Sequence, residues 1–227
     1  MGIFIDSANT NEVREALRLG RIDGVTTNPS LLLRAAQETG RPQTEVAIVK
    51  ELLGIVDGLV FVQVTASDEE GMVHEARRLA AISPDRVRIK VPCTPDGLRA
   101  IRTLEHEGIV TAATAIFSPA QAYLSSHAGA SYVAPYLSQF EQAGGDPARL
   151  IGEMKAVMAR TNTRTEILAA SLKTPGAVTA ALAAGAEHVT VPLDVYKAMF
   201  QHPLTQAALD RFGAASQELR AHRGFHV

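Results

Sequence analysis

A chain of 227 residues, of which 46% are hydrophobic and 20% charged, can bury a large core, so its composition excludes a disordered protein. The formal net charge of -2, without a lysine-rich or arginine-rich run, provides no basic field for a nucleic-acid backbone. Nucleic acid is therefore not an expected partner. The length suits one α/β barrel domain or two small domains and does not decide between them.

The ends and the special residues of the chain narrow its setting. Residues 1–6 have no basic segment and reach Asp6 after three apolar residues, unlike a signal peptide. No apolar run is long enough to span a bilayer, so no membrane partner is expected. The lone cysteine, Cys93, excludes an internal disulfide and favours a reducing, cytoplasmic setting. Without zinc-ligand spacing of the histidines or a nucleotide-binding glycine motif, no metal and no cofactor are expected.

Short, apolar, β-branched runs recur along the chain and predict eight strands. They span residues 3–5, 24–27, 59–64, 87–91, 110–116, 132–137, 166–170 and 189–193. Because nearly every residue in them is apolar, these strands suit a parallel sheet that is covered on both faces. Eight such strands with helices between them predict a single (β/α)8 TIM barrel over residues 1–227. A doubly wound open sheet is the main rival.

The segments between these strands predict amphipathic helices, because their apolar residues recur at spacings of three and four. Ser67 with Glu70 fits a capping box at the start of one helix. Four more helices are expected to begin where a capping side chain precedes a proline, at Thr94, Ser118, Asp146 and Thr174.

Glycines shortly before strands predict the helix ends. They are Gly20, Gly58, Gly108, Gly129 and Gly185. One more helix, over residues 204–219, is predicted within a C-terminal extension of residues 202–227. That helix would cover one mouth of the barrel or dock on a neighbouring subunit.

Polar residues at the carboxyl ends of the strands are the first candidates for chemistry, because the active site of a barrel of this kind lies there. They are Asp6, Thr26, Thr27, Asn28, Gln63, Lys90, Thr114, Tyr136, Ser171, Lys173 and Asp194.

Lys90 is the most informative of these residues, because it places an amine in a strand that should be buried on both faces. Its ordinary interpretation is a lysine whose side chain reaches a strand end. The chain has 17 arginines and only five lysines, however, and still has lysine here. An arginine keeps its proton, whereas a lysine in an apolar site can lose its proton and attack a carbonyl. Lys90 is therefore a candidate for imine formation.

The other candidates are open to two interpretations each. Asp6 either caps a helix that begins near Asn9 or transfers protons. Gln63 is a buried amide that either belongs to a structural hydrogen-bond network or serves the site. The same two interpretations hold for Thr114 and Tyr136, strand residues whose hydroxyls need partners.

A series of segments spread over almost the whole chain forms a recognisable pattern. They are Phe4-Ile5-Asp6, Gly24-Val25-Thr26-Thr27-Asn28-Pro29-Ser30, Ile89-Lys90-Val91-Pro92, Thr114-Ala115, Tyr132-Val133-Ala134-Pro135-Tyr136, Leu168-Ala169-Ala170-Ser171-Leu172-Lys173-Thr174-Pro175 and Val191-Pro192-Leu193-Asp194. With these segments the chain resembles the transaldolase family, and especially its short subfamily, which includes fructose-6-phosphate aldolase. The segments TTNPS and KVP, in this order and spacing, are the most specific.

The resemblance implies roles for single residues. Lys90 would be the Schiff-base lysine and Asp6 would assist proton transfers. The expected substrate-binding residues are Thr26, Asn28, Gln139, Ser171 and Lys173. Where transaldolases of the family have a glutamate, this chain has Gln63, as the fructose-6-phosphate aldolase type does. That type pairs the glutamine with a threonine and a tyrosine to hold a catalytic water, and Thr114 and Tyr136 stand at the corresponding places.

Gln139 departs from the family pattern. Members of the family usually have an arginine there, which helps to bind the acceptor phosphate. A glutamine lacks the charge and the bidentate fork of a guanidinium, so we expect relaxed dependence on an acceptor phosphate.

The resemblance predicts a class I aldolase that cleaves or forms a ketose such as fructose 6-phosphate from dihydroxyacetone and an aldehyde such as glyceraldehyde 3-phosphate. One alternative is a transaldolase that transfers a dihydroxyacetone unit between sugar phosphates or related anionic sugars. A second is a non-catalytic barrel that binds sugar. Small sugars are the expected ligands in each case, and the resemblance implies a homo-oligomer, a pentamer or a decamer.

Overall fold

Eight parallel strands close into a barrel in the computed structural model, which describes residues 1–39, 44–161 and 164–222. The strands are β1 (Gly2–Asp6), β2 (Gly24–Thr26), β3 (Leu59–Gln63), β4 (Val87–Pro92), β5 (Thr111–Ile116), β6 (Tyr132–Pro135), β7 (Glu166–Ala169) and β8 (His188–Val191). β1 pairs with β8, with Ile3 opposite Val189, and this pairing closes the sheet. The predicted TIM barrel is confirmed, and the open-sheet rival is wrong.

Eleven helices surround and follow the barrel in the described ranges. They are α1 (Thr10–Leu19), α2 (Pro29–Thr39), α3 (Glu45–Leu53), α4 (Glu69–Ala80), α5 (Pro95–His106), α6 (Pro119–His127), α7 (Leu137–Gln142), α8 (Pro147–Met158), α9 (Pro175–Ala183), α10 (Leu193–Ala198) and α11 (Pro203–Ala221). None of them is long and apolar enough to cross a membrane. The predicted extension contains α11, and its last residues, 223–227, lie outside the described part of the chain.

Helix starts follow the predicted capping residues with one exception. The side chains of Thr94, Ser118, Asp146 and Thr174 each accept a backbone N–H bond and cap α5, α6, α8 and α9. The predicted cap Ser67 is wrong, because α4 begins one residue later and Asp68 accepts from the N–H of Gly71. Serine and aspartate are both good caps, so the sequence left two adjacent starts for this helix.

Helix ends follow the predicted glycines in most units. After α5, α6 and α9, the glycines Gly108, Gly129 and Gly185 adopt positive φ, which favours a residue without a Cβ. Gly58 is an exception: α3 already ends at Leu53, with Gly54 as its cap. Gly58 is needed for another reason, because a Cβ there would lie 2.0 Å from the carbonyl oxygen of Asp23.

Two predicted strands run on into the helix that follows them. Residues 136 and 137 form the cap and the first residue of α7, and Leu193 begins α10. Leu137 and Leu193 are buried in these helices, so the apolar run continues past the strand although the backbone has turned. Hydrophobicity alone does not mark the point at which a buried strand becomes a buried helix.

The interior of the barrel is closed near the amino ends of its strands by four aromatic rings. Phe4, Phe61, Tyr132 and His188 form a closed circle of edge contacts, with neighbouring ring centres 5.2 to 5.8 Å apart. Phe61 is fully buried. Side chains of a barrel interior stack in layers, so this aromatic layer forms a floor and leaves the carboxyl ends of the strands open for a site.

Candidate active site

Lys90 projects from β4 and is 4% exposed. Its Nζ atom donates to the backbone oxygen of Thr27, the residue that follows β2, at 2.8 Å. Burial lowers the pKa of the Lys90 amine, and the charge of Asp6 raises it to a smaller extent. The amine is therefore oriented by one hydrogen bond and pushed toward its neutral, nucleophilic form.

Asp6 ends β1 and is held by two threonines. Thr26 Oγ1 donates to Asp6 Oδ1 at 2.7 Å and lies 2.6 Å from Thr190 Oγ1. A hydroxyl has one proton to donate, so Thr190 is the donor in the second bond. These two successive hydrogen bonds fix the Oδ1 atom of Asp6. The interpretation of Asp6 as a helix cap is wrong, because α1 is capped by the side chain of Asn9.

Gln63 lies next to Lys90 in the barrel, since the two are paired residues of β3 and β4. The Oε1 atom of Gln63 is buried and has no hydrogen-bond partner among the described residues. A buried amide oxygen without a partner costs free energy, so this atom is available to accept a hydrogen bond from a ligand or a water.

Thr114 and Tyr136 form a second polar pair. Thr114 Oγ1 donates to the Tyr136 hydroxyl at 3.1 Å, which leaves the phenolic proton for another acceptor. Burial raises the pKa of Tyr136, and the bond from Thr114 lowers it to a smaller extent. Tyr136 therefore remains a neutral hydrogen-bond donor at neutral pH.

Two residues near the candidate site, Ala115 and Ser171, have strained backbone. Ala115 has φ +58°, where the register between β5 and β6 shifts directly after Thr114. Ser171 has φ +60°, and its carbonyl oxygen accepts from the N–H of Ser138 at 3.1 Å. Positive φ costs energy for residues other than glycine and concentrates at functional sites. Both strained positions lie at the carboxyl end of the barrel, where the predicted site is.

A cavity of about 530 Å³ opens at this end of the barrel. All but one of the predicted catalytic and substrate-binding residues line it: Asp6, Thr26, Asn28, Gln63, Lys90, Tyr136, Gln139, Ser171 and Lys173. The exception is Thr114, which is buried and donates to the Tyr136 hydroxyl. Two further strand-end candidates do not line it. Thr27 is buried and holds Lys90 through its backbone, whereas Asp194 is exposed in the first turn of α10.

In residues 1–39, 44–161 and 164–222, no group of three or more histidine, cysteine, aspartate or glutamate side chains is arranged to hold a metal ion.

Comparison with known proteins identifies the family. Residues 3–225 match the family model described as Transaldolase/Fructose-6-phosphate aldolase. The chain belongs to this family. It is thus a transaldolase-like enzyme, and the alternative of a non-catalytic sugar-binding barrel is not supported.

Similar members of the transaldolase/fructose-6-phosphate aldolase family match along nearly their whole length. A probable transaldolase of Hydrogenobaculum sp. (strain Y04AAS1) is 43% identical over 93% of this chain and 94% of its own. One from Aquifex aeolicus (strain VF5) has the same identity and coverage. A third, from Desulfitobacterium hafniense (strain DCB-2), is 40% identical over 97% of this chain and all of its own.

Solved structures add support for the fold alone. Orotidine 5'-monophosphate decarboxylase from Metallosphaera sedula has a TM-score of 0.59 at 16% identity, covering 96% of this chain and 98% of its own. Inosine 5'-monophosphate dehydrogenase from Legionella pneumophila has the same score and identity and covers 86% of this chain and 59% of its own.

Some lining residues were not predicted from the sequence. Thr190, which supports Asp6 through Thr26, is one of them. A polar residue between Val189 and Val191 of an apolar strand was its available signal. Arg34, on α2, also lines the cavity and had no signal, because an arginine on an amphipathic helix is usually a surface residue.

Proposed function

We propose that this family member is a class I aldolase in which Lys90 forms a Schiff base with dihydroxyacetone or with a ketose such as fructose 6-phosphate. The observation that carries the proposal is the buried Lys90 amine, whose pKa is lowered by burial and which faces the cavity beside Asp6. A neutral amine in an apolar site is the form that attacks a carbonyl.

The cycle begins when the Lys90 nitrogen attacks the C2 carbonyl carbon and forms a carbinolamine. Loss of its hydroxyl as water gives an iminium ion, and Asp6 moves the protons. The bond between C3 and C4 then breaks as a proton leaves the C4 hydroxyl, and its electron pair moves into the iminium. An aldehyde departs and an enamine remains on Lys90. A proton added to the enamine carbon returns the iminium ion, and attack by water on that ion releases dihydroxyacetone and the Lys90 amine; alternatively, a second aldehyde captures the enamine.

Substrate contacts follow from the lining. Asn28 uses its Oδ1 atom to accept the N–H of Leu31 at the start of α2, so its NH2 group can donate to a donor hydroxyl. Ser171 lies at the same cavity. Gln63 and Tyr136 hold the water that hydrolyses the iminium ion, and Thr114 orients the Tyr136 hydroxyl through its hydrogen bond. The free Gln63 oxygen and the free Tyr136 proton support this role, since a water needs both an acceptor and a donor.

Condensation of dihydroxyacetone with glyceraldehyde 3-phosphate in the presence of EDTA tests the proposal. We expect product from the wild type, because the iminium ion formed on Lys90 takes up the electron pair without a metal, and none from Lys90→Met. Lys173→Met is the matched control: it removes the other lysine of the cavity and should keep turnover measurable. Turnover that EDTA abolishes and a divalent ion restores would contradict the proposal.

A transaldolase is the second candidate, because the three relatives above are named probable transaldolases. It differs in what happens to the enamine: a transaldolase passes it to an acceptor sugar and releases little dihydroxyacetone. We expect free dihydroxyacetone as donor and product in the wild type, and a shift toward transfer in Gln63→Glu. Efficient transfer by the wild type without any use of free dihydroxyacetone would decide for the transaldolase.

The molecule is also proposed to act as a homo-oligomer, a pentamer or a decamer. None of the described residues of α11 is buried, although Leu209, Phe212 and Leu219 recur along it at helical spacing. Phe212 is 67% exposed. An apolar stripe of this kind is a surface that a second copy of the chain would cover.

A further inference from the structure

Arg34 is a cation at the rim of the cavity. α2 starts directly after β2, and Ser30, Leu31 and Arg34 on this helix all line the cavity. Lys173 also lines the cavity. It follows β7, which lies three strands away from β2 around the barrel. The cavity of the described structure thus has two cations near its entrance, Arg34 and Lys173, in addition to the buried Lys90.

The ion pairs of Arg34 are weak enough to leave it available. Its Nη2 atom lies 3.4 Å from Glu12 Oε2 and its Nε atom 3.6 Å from Glu38 Oε1, and the side chain is 48% exposed. Both carboxylates have closer partners: Ser7 Oγ donates to Glu12, and Asn9 Nδ2 donates to Glu38 at 2.8 Å. Long, exposed ion pairs contribute little, so the guanidinium can turn toward a bound anion at small cost.

We propose that Arg34 binds the phosphate group of the acceptor aldehyde. The ligand is a small hydroxyaldehyde with a phosphate monoester, whose oxygens match the fork of a guanidinium. Ser30 and Leu31 in the first turn of α2, where the helix dipole favours negative charge, also line the cavity. Arg34 thereby offsets part of the charge that is missing at Gln139. Its part in turnover rests on the proposed aldolase reaction, whereas its affinity for a phosphate ester does not.

Binding of glycerol 3-phosphate, measured by calorimetry, tests the proposal without any chemical step. This probe has the phosphate of the acceptor but no aldehyde. We expect Arg34→Gln to weaken it about ten- to hundredfold, as for the loss of a hydrogen bond to a charged group. Arg34→Lys, which keeps the charge and loses the fork, should lie between the two.

Arg149→Gln is the matched control. Arg149 is another exposed arginine with an i,i+4 ion pair, to Glu153, and it does not line the cavity. Its replacement should leave the binding of glycerol 3-phosphate unchanged. Equal binding by the wild type and Arg34→Gln, or no measurable binding by the wild type, would overturn the proposal.

Steady-state kinetics provide a second test of the role of Arg34. The ratio of kcat/KM for glyceraldehyde 3-phosphate to that for glyceraldehyde should fall in Arg34→Gln by the same factor as the binding constant. A ratio that Arg34→Gln leaves unchanged counts against Arg34. Failure of the aldolase proposal looks different, because the wild type would then show no Schiff base with dihydroxyacetone while the binding measurement still decides for or against Arg34.

Discussion

At the scale of single residues, two opposing influences set the protonation of Lys90. Burial lowers its pKa, and the negative charge of Asp6 raises it. Asp6 in turn is held by Thr26 and Thr190, so its position relative to the amine is fixed by hydrogen bonds across three strands. The proposed nucleophile and the proposed proton carrier are thus coupled through charge.

In the pH profile of Schiff-base formation, the replacement Asp6→Asn should move the acid limb to lower pH. It removes the charge that raises the Lys90 pKa, so burial acts alone and the amine loses its proton at a lower pH. The rate should also fall about 10²- to 10⁴-fold, as for the loss of a general acid–base. The measurement is the pH profile of Schiff-base formation with dihydroxyacetone. Asp194→Asn, at an exposed carboxylate outside the cavity, should change neither quantity; an acid limb at higher pH in Asp6→Asn would contradict the account.

Sequence was informative at residues that break a local pattern. Lys90 and Gln63 stand out because each interrupts an apolar strand, and the barrel then fixes the direction in which both point. Arg34 could not be found in this way, because a charged residue on a helix breaks no pattern. Its access to the cavity depends on where α2 lies relative to the ends of the strands, which is a tertiary property.

At the scale of elements, capping residues and glycines decide where each βα unit turns. Proline after the cap fixed four helix starts at the predicted residue. α4 lacks such a proline, and two adjacent capping residues left its start ambiguous. Strand ends were harder to predict where β6 and β8 run into the short helices α7 and α10, because burial continues across the boundary.

The start of α4 gives a prediction about stability. Asp68→Ala should lower the free energy of unfolding by about 0.5–2 kcal/mol, because the N–H of Gly71 loses its acceptor. Ser67→Ala, the matched control one residue earlier, should change it by less than about 0.5 kcal/mol. Urea unfolding of both variants measures the difference. A larger effect at Ser67 than at Asp68 would show that the capping box predicted from the sequence is correct.

At the scale of the whole molecule, the barrel separates support from chemistry. The aromatic floor of Phe4, Phe61, Tyr132 and His188 fills the amino end of the interior, and the polar residues gather at the other end. α11 packs none of its described residues into the core and is free for contacts between copies.

Phe212→Glu should therefore break the proposed homo-oligomer into smaller species. A charge in the middle of the apolar stripe of α11 cannot be buried against a second copy without a large desolvation cost. Sedimentation velocity measures the species. Gln217→Glu adds the same charge to another face of α11 and should leave the assembly intact. An unchanged distribution in Phe212→Glu, or a wild type that is monomeric, would show that α11 is not the interface.

The central claim is a covalent bond between Lys90 and the substrate. The most direct measurement is peptide mass spectrometry after incubation with dihydroxyacetone and reduction with borohydride. The account predicts a mass increase equal to dihydroxyacetone less one oxygen atom, confined to the peptide that contains Lys90 and missing in Lys90→Met. An adduct on Lys173 instead, or turnover by a wild-type enzyme that yields no adduct, would contradict it.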